Sequence, residues 1–258
     1  MLVYTTNEIV HLVQMWLWPF FRIAGLFMTA PIIGTRSVPV RVRVILAIAV
    51  TIVVFPVITE IPNIDPVSPD GVLISIQQVI IGISMGLCMR VVFIALEVAG
   101  QAIGQLMGLM LASMVDPMNG NQVPIIGQFY LLLATLLFLA VNGHLLMIKV
   151  LADSFNSLPI GDTGISSNGA WDLLIWTGKI INFAVVIALP ALVSLLIVNL
   201  SFGVMTRSAP QLNIFAVGFP IMIILGVLII FFSLNSFIPH MENMFDDGIL
   251  RMYELVNK

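Results

Sequence analysis

Charged residues are scarce in this chain of 258 residues: they make up 9% of it, whereas hydrophobic residues make up 60%. Soluble proteins carry roughly a quarter charged residues. The polar links are too short to fold around a core of their own, which excludes a separate water-soluble catalytic domain. The composition therefore predicts a helical membrane protein with at most about eight crossings. The apolar runs are 9–33, 44–58, 72–112, 124–148, 173–206 and 212–238.

Basic clusters and cysteine are scarce as well. With a net charge of −3 and no run of basic residues, the chain has little that would attract nucleic acid electrostatically. Its one cysteine, Cys88, excludes a disulfide within the chain, and the histidines and cysteine lack zinc-type spacing. We therefore predict no nucleic-acid partner, no metal and no cofactor.

Two links between the apolar runs differ in charge. Arg36, Arg41 and Arg43 lie in the first link. Because basic residues accumulate on the cytoplasmic side of membranes, this link is predicted to be cytoplasmic. The link 59–71 carries three acidic residues and no basic residue, which suits the opposite side.

Three apolar runs leave the course of their helices open. As one helix the run 72–112 would extend about 61 Å, about twice the bilayer core. It therefore either turns back near Met89-Arg90 or projects from the membrane. The run 173–206 contains Pro190, which predicts a helical hairpin or a bent helix. The last run is expected to stop at Pro239, followed by a short amphipathic tail.

Gly82, Ser84 and Gly86 form a GxSxG pattern, which in serine hydrolases places the nucleophile on a sharp strand-to-helix turn. Here the pattern lies inside a long apolar helical run. The histidines lack the HExxH spacing of a metalloprotease, and Asp116 precedes Pro117 in a loop, unlike the aspartates of a paired-aspartate protease. We therefore predict that the chain is not an enzyme and has no catalytic residue. Gly82 and Gly86 are interpreted as a face of small residues that another helix approaches closely.

A polar strip follows the run 72–112, with spacings of 7, 4 and 4 that align its members on one helix face. Its members are Arg90, Glu97, Gln101 and Gln105. A charge at the centre of an inserted helix costs roughly 2.5–3.5 kcal/mol, so Arg90 and Glu97 are expected to face protein or water. Gly100 and Gly104 beside the strip predict a close helix contact. Two interpretations stay open: an interhelical pair that sets register, or the wall of a water-filled path.

Methionine is concentrated near the end of the same run and in the turn-rich link that follows. Six of the fifteen methionines lie between positions 85 and 118, and the last four of them are Met107, Met110, Met114 and Met118. An unbranched, adaptable side chain can fill an irregular gap and reseal it after something passes. Ordinary packing at a helix end is the alternative interpretation.

Several short strings of the sequence occur in the order that is typical of one known family. They are Ala30-Pro31 through Arg36-Ser37-Val38-Pro39 and Arg43, 97–108 followed by Val115-Asp116-Pro117, Asn142-Gly143-His144, Leu158-Pro159-Ile160-Gly161, and 209–215 to Gly218-Phe219-Pro220. On these strings, spread over 1–240, the chain resembles the FliR/SctT-like family, the R subunits of type III export gates. It is more similar to the flagellar members than to those of injectisomes.

The resemblance implies a subunit of the flagellar type III protein export gate, in the basal body and inner membrane of a bacterium. One copy would assemble with several P and Q subunits into a conical helical complex through which unfolded flagellar proteins pass. Larger export-gate subunits and membrane lipid are further partners. The resemblance also implies one all-α export-gate domain, 1–258, built of tilted helical hairpins. Its halves would be P-like, 1–170, and a Q-like hairpin with the C-terminal tail, 171–258.

The family's pore plug, a loop that closes the pore from inside, maps by resemblance to 108–124. The residues assigned to it are Gly108, Met110, Met114, Asp116, Pro117, Met118 and Gly120. Where family members carry Phe, this chain has Met110 and Met114, which implies a softer seal.

A second hypothesis from the sequence is a self-contained, multi-pass small-solute transporter. Such transporters often contain inverted repeats with interrupted helices in matching positions. The sequence shows no such symmetry, which favours the export gate.

Overall fold

A computed structural model describes residues 6–58, 61–109, 125–161, 164–208 and 214–257. Of these residues 86% are helical and none is in a strand, which confirms the all-α prediction. They form seven α-helices, with a 3-10 turn at Phe55–Val57. The helices are α1 (Thr6–Thr29), α2 (Val40–Val54), α3 (Pro69–Leu106), α4 (Ile125–Ala140), α5 (Gly143–Ser157), α6 (Ser167–Ser208) and α7 (Ile214–Val256).

Local sequence signals set several helix ends. The Ser68 hydroxyl accepts a hydrogen bond from the Gly71 amide at 3.1 Å, and Pro69 follows as the first residue of α3. Serine before a helix and proline in its first position are favoured because they leave fewer unpaired amides. Between α4 and α5, Asn142 adopts a left-handed φ of 57°, and the two helices meet at a bend of 64°.

Helix α3 runs without a break through Met89-Arg90, so the apolar run does not turn back there. Its 38 residues correspond to about 57 Å of helix at 1.5 Å per residue. The sequence from Gly71 to Leu106 contains no proline, so no missing amide interrupts the helix.

Helix α6 is likewise a single helix of 42 residues that passes through Pro190, and the hairpin alternative for this run is wrong. Helix α7 passes through Pro239, where the last apolar run stops, and continues through the amphipathic tail to Val256. The residues beyond Pro239 include buried Phe245 and Met252. Burial of such apolar side chains offsets the single hydrogen bond that a proline removes.

The chain forms two compact units, and four helices contribute residues to both. One unit comprises Met1–Val91, Leu139–Thr177 and Phe245–Lys258, and the other Val92–Phe138 and Gly178–Met244. Within the first unit, α1 packs on α3: the Trp18 indole donates to the Ser75 hydroxyl at 3.2 Å and the Thr29 hydroxyl to the Ile83 carbonyl at 3.0 Å. The P-like and Q-like halves stay a prediction.

Four stretches are long and apolar enough to cross a membrane by length and composition, and the bent pair α4–α5 makes a fifth if it counts as one span. They are Val40–Val57, Pro69–Leu106, Ser167–Arg207 and Gly218–Val256. Each stretch contains an apolar window of 18 residues. In the α3 window 67% of the residues are buried, whereas the share is 17% in the α2 window, 28% in the α6 window and 22% in the α7 window. Helix α3 therefore makes most of its contacts within this chain, whereas the other three leave most of their surface uncovered.

Candidate helix-packing and pore-closing site

Gly82 and Gly86 lie where α1 crosses α3. A Cβ added to Gly82 would lie 2.8 Å from the Leu26 amide nitrogen, and one added to Gly86 would lie 2.9 Å from the Leu26 carbonyl oxygen. Gly25 faces them from α1, where a Cβ would lie 2.6 Å from the Val79 carbonyl oxygen. At this crossing the two backbones approach too closely for any side chain larger than hydrogen. Ser84 between the two glycines lies inside α3, not on a strand-to-helix turn.

Arg22 of α1 lies next to this crossing and is fully buried, with 0% of its surface exposed. Its Nε donates to the Gln78 amide oxygen at 2.7 Å, and its Nη1 donates to the Ser154 carbonyl and hydroxyl oxygens at 2.9 and 3.1 Å. Its Nη2 donates to the Leu158 carbonyl at 2.8 Å, and the guanidinium carbon lies 4.4 Å from the centre of the Phe155 ring. Neutral oxygens and an aromatic face thus replace the water that a guanidinium loses on burial.

Arg22 is the main site residue that the sequence analysis missed. The signal was present, because Arg22 is the one charged residue in the apolar run 9–33, and such a residue must find partners inside the protein. Its partners lie 56 to 136 positions away. No local pattern in the sequence could have identified them.

Gly100 lies at a second close contact, between α3 and α4. A Cβ added to it would lie 2.5 Å from the Gly127 Cα and 2.7 Å from the Gly127 amide nitrogen. A Cβ on Gly127 would in turn lie 3.2 Å from the Glu97 carbonyl oxygen and 3.8 Å from the Cγ atoms of Glu97 and Gln101. Two members of the polar strip therefore pack their aliphatic stems beside Gly127 of α4.

The remaining predicted residues of α3 lie in different surroundings. Arg90 is half-buried, Gly104 is buried and Gln105 is exposed. The ion pairs of Arg251 with Asp172 and Glu254 involve none of these residues. Both interpretations of the polar strip stay predictions.

Of the residues assigned to the plug, Gly108 is described and the other six, from Met110 to Gly120, lie outside the described residues. Gly108 follows the end of α3 with a left-handed φ of 78°, and a Cβ there would lie 3.1 Å from the Phe219 ring. Just before it, the Leu106 carbonyl accepts a hydrogen bond from the Asn199 side chain at 3.3 Å. Met107 packs on Gly226, whose added Cβ would lie 2.5 Å from the Met107 Cε. Residues of α6 and α7 thus hold the point where the chain leaves α3.

The described residues contain no group of three His, Cys, Asp or Glu side chains placed to hold a metal ion. The features they do contain are close helix crossings at glycine, one buried cation and a polar strip beside one of the crossings. Such an arrangement can position helices and hold a loop.

Comparison with known proteins identifies the family. The model of the bacterial export proteins, family 1, matches residues 13–248. The chain is 39% identical to the flagellar biosynthetic protein FliR of Pectobacterium carotovorum over 96% of this chain and 94% of that protein. It is 37% identical to FliR of Escherichia coli K12, over 100% and 98%, and 30% identical to FliR of Bacillus subtilis 168, over 97% of each. The chain therefore belongs to the bacterial export proteins of family 1, the family of the flagellar biosynthetic protein FliR.

Proposed function

We propose that this chain is a subunit of the flagellar type III protein export gate in the bacterial inner membrane, where its segment 108–124 closes the protein-conducting pore. Its relatives are named flagellar biosynthetic proteins, and the family is one of bacterial export proteins. The observation that carries the pore-closing role is the way in which both ends of this segment are held.

The first end is held by α6 and α7. The Asn199 side chain binds the last carbonyl of α3, and Gly108 turns the chain in a conformation that favours glycine, against Phe219. The second end enters α4, which contacts α3 directly through Gly127 and Gly100. Segment 109–124 thus connects two helices that touch near their ends. The described residues on both sides of this segment are thus fixed by contacts with other helices.

The uncovered apolar surface supports an assembly with partners. Windows of α6 and α7 that are apolar enough to span a membrane leave about three-quarters of their residues unburied within the chain. Lipid or sister subunits must cover such surface, because exposing it to water is unfavourable. We propose that P and Q subunits cover much of it around one copy of this chain, with 1–170 and 171–258 as its P-like and Q-like halves. Larger gate subunits and unfolded flagellar proteins are the further partners.

Deleting residues 110–119 is expected to make the assembled gate leak ions, because the deletion removes Met110, Met114 and Met118. The measurement is the ion conductance of the complex in planar bilayers, after co-purification has shown that the P and Q subunits are still bound. Unchanged conductance in a correctly assembled complex would contradict the pore-closing role.

Two variants of the full-length segment sharpen this test. Changing the three methionines to leucine keeps apolar volume and is expected to keep the pore closed. Changing them to serine removes that volume and is expected to raise the conductance. A single chain that moved a small solute in liposomes without any partner would instead support the transporter hypothesis.

Glu97→Leu is expected to impair assembly or export, since its carboxylate extends beyond a stem packed beside Gly127. Hydrogen bonds to charged groups contribute about 1.5–3 kcal/mol, so losing one weakens a contact by about tenfold or more. The measurements are swarming motility and the yield of co-purified partners. The control is Glu97→Gln, which keeps the shape and much of the hydrogen bonding. Normal swarming by Glu97→Leu would contradict this role of the carboxylate.

A further inference from the structure

Helix α2 has an uncovered surface that is apolar on most sides. It buries Ala47, Thr51 and Val54 and packs on α1. Its exposed large apolar residues are Val40, Val42, Val44, Ile45, Leu46, Ile48, Ile52 and Val53. Because these include the adjacent positions 44, 45 and 46, they point in several directions around the helix. A single partner helix covers one stripe, whereas fluid acyl chains surround a helix.

Positive charge is confined to one end of this helix. Arg36 and Arg41 are exposed at its beginning and Arg43 is half-buried beside them. The sequence from 9 to 59 contains no Asp or Glu, and in the described part of the chain none of these three arginines forms an ion pair. An anion that approaches this end therefore meets no competing carboxylate nearby in the sequence.

The backbone and Arg43 add to this attraction. The N-terminal residue before α2 is Pro39, which provides no side-chain cap, and the first turn contains no acidic residue. The helix dipole there favours a negative charge. Arg43 donates through Nη2 to the Thr35 carbonyl, whereas its buried Nε has no hydrogen-bond partner among the described residues. A buried donor without a partner is uncommon, and an oxyanion would satisfy it.

We propose that the beginning of α2 binds the phosphate of an anionic phospholipid, with Arg36, Arg41 and Arg43 around the headgroup and the acyl chains along the exposed apolar surface. The stretch Val40–Val57 has 18 residues, or about 27 Å of helix, close to the roughly 30 Å of a bilayer core. A phospholipid combines an anionic head with an apolar tail in this order. A soluble phosphate would use only the arginines. This site does not depend on the export-gate role.

The test measures binding of a fluorescent phosphatidylglycerol to the full chain in neutral detergent micelles. Each basic residue near a membrane surface contributes to the free energy of binding an anionic lipid. The double variant Arg36→Gln/Arg41→Gln is therefore expected to bind the phosphatidylglycerol about tenfold more weakly. The variant Arg36→Lys/Arg41→Lys keeps the charge and is expected to retain most of the affinity. The matched control Lys149→Gln/Arg207→Gln removes the same charge from two other exposed positions and is expected to leave the affinity unchanged.

Three outcomes would overturn the proposal. An equal loss of affinity in the control variant would show attraction by overall charge alone. Equal binding of a fluorescent phosphatidylcholine would show a purely apolar surface, as expected if a protein partner covers α2. Displacement by inorganic phosphate at the concentration of the lipid would identify a soluble anion as the ligand. Melting temperatures of all variants without lipid check that each one folds.

Discussion

Replacing Arg22 by methionine is expected to lower the free energy of unfolding by about 4 kcal/mol, because several buried hydrogen-bond acceptors lose their donor at once. The acceptors belong to Gln78 on α3, to Ser154 on α5 and to Leu158 just after the end of α5. Methionine fills the space but donates to none of these oxygens, and each buried oxygen left without a partner costs about 1–3 kcal/mol. The Ser154 carbonyl keeps the Leu158 amide as a donor at 3.0 Å, so the loss comes mainly from the other acceptors. The measurement is an unfolding titration of the purified chain in mixed detergent micelles.

The matched control for this variant is Arg207→Met, at an exposed position near the end of α6, which is expected to change stability by less than about 0.5 kcal/mol. A double-mutant cycle with Gln78→Leu isolates the contact of the Arg22 Nε, and a coupling energy of about 1 kcal/mol or more is expected. Equal stability of Arg22→Met and Arg207→Met would contradict the clamping role of the buried guanidinium.

Gly82→Ala is expected to destabilise the chain by about 3 kcal/mol, because a single added methyl group collides with the backbone of α1 rather than with a movable side chain. The Cβ would lie 2.8 Å from the Leu26 amide nitrogen, a separation that forces α1 away from α3. Moving α1 away from α3 also displaces Arg22 from its acceptor on α3, the Gln78 amide oxygen. The measurement is again the free energy of unfolding, supported by the amount of folded chain recovered from membranes.

Gly178→Ala in α6 is the control, since no atom lies within 4 Å of an added Cβ there. Alanine is the better helix former by roughly 1 kcal/mol in water, so this variant is expected to be as stable as the original chain or more so. If Gly82→Ala lowers the free energy of unfolding and Gly178→Ala does not, the loss at Gly82 comes from the helix crossing, because the two substitutions are chemically identical. A loss of stability at Gly178 equal to that at Gly82 would contradict the packing argument.

Much of the architecture was predictable because it follows from composition and local sequence. The shortage of charge predicted apolar helices, and the spacing of Gly82 and Gly86 predicted a surface for close helix contact. The ends of the long helices were harder to predict. Pro239 is a strong local stop signal, yet α7 continues past it because later residues such as Phe245 and Met252 are buried. Tertiary packing of this kind overrides local preference at a cost of a few kcal/mol.

The candidate site was less predictable than the fold. The polar strip was recognised from its spacing, but only the structure shows that the stems of Glu97 and Gln101 lie beside Gly127 of α4. The strings that resemble the FliR/SctT-like family indicated the relationship that the comparisons confirm. The assignment of a pore plug to 108–124 stays a prediction, and the described residues contribute the anchoring of its two ends.

By itself the sequence determined that the chain is helical, apolar and related to flagellar export proteins, because composition, periodicity and ordered motifs are local properties. Only the tertiary structure decided which surfaces meet. It places Arg22 against acceptors as far as 136 residues away along the chain. It also leaves the apolar sides of α2 uncovered, next to the arginines at the beginning of that helix. The physical reason is that a buried charge and an apolar surface both need partners, and the fold determines which of those partners this chain itself provides.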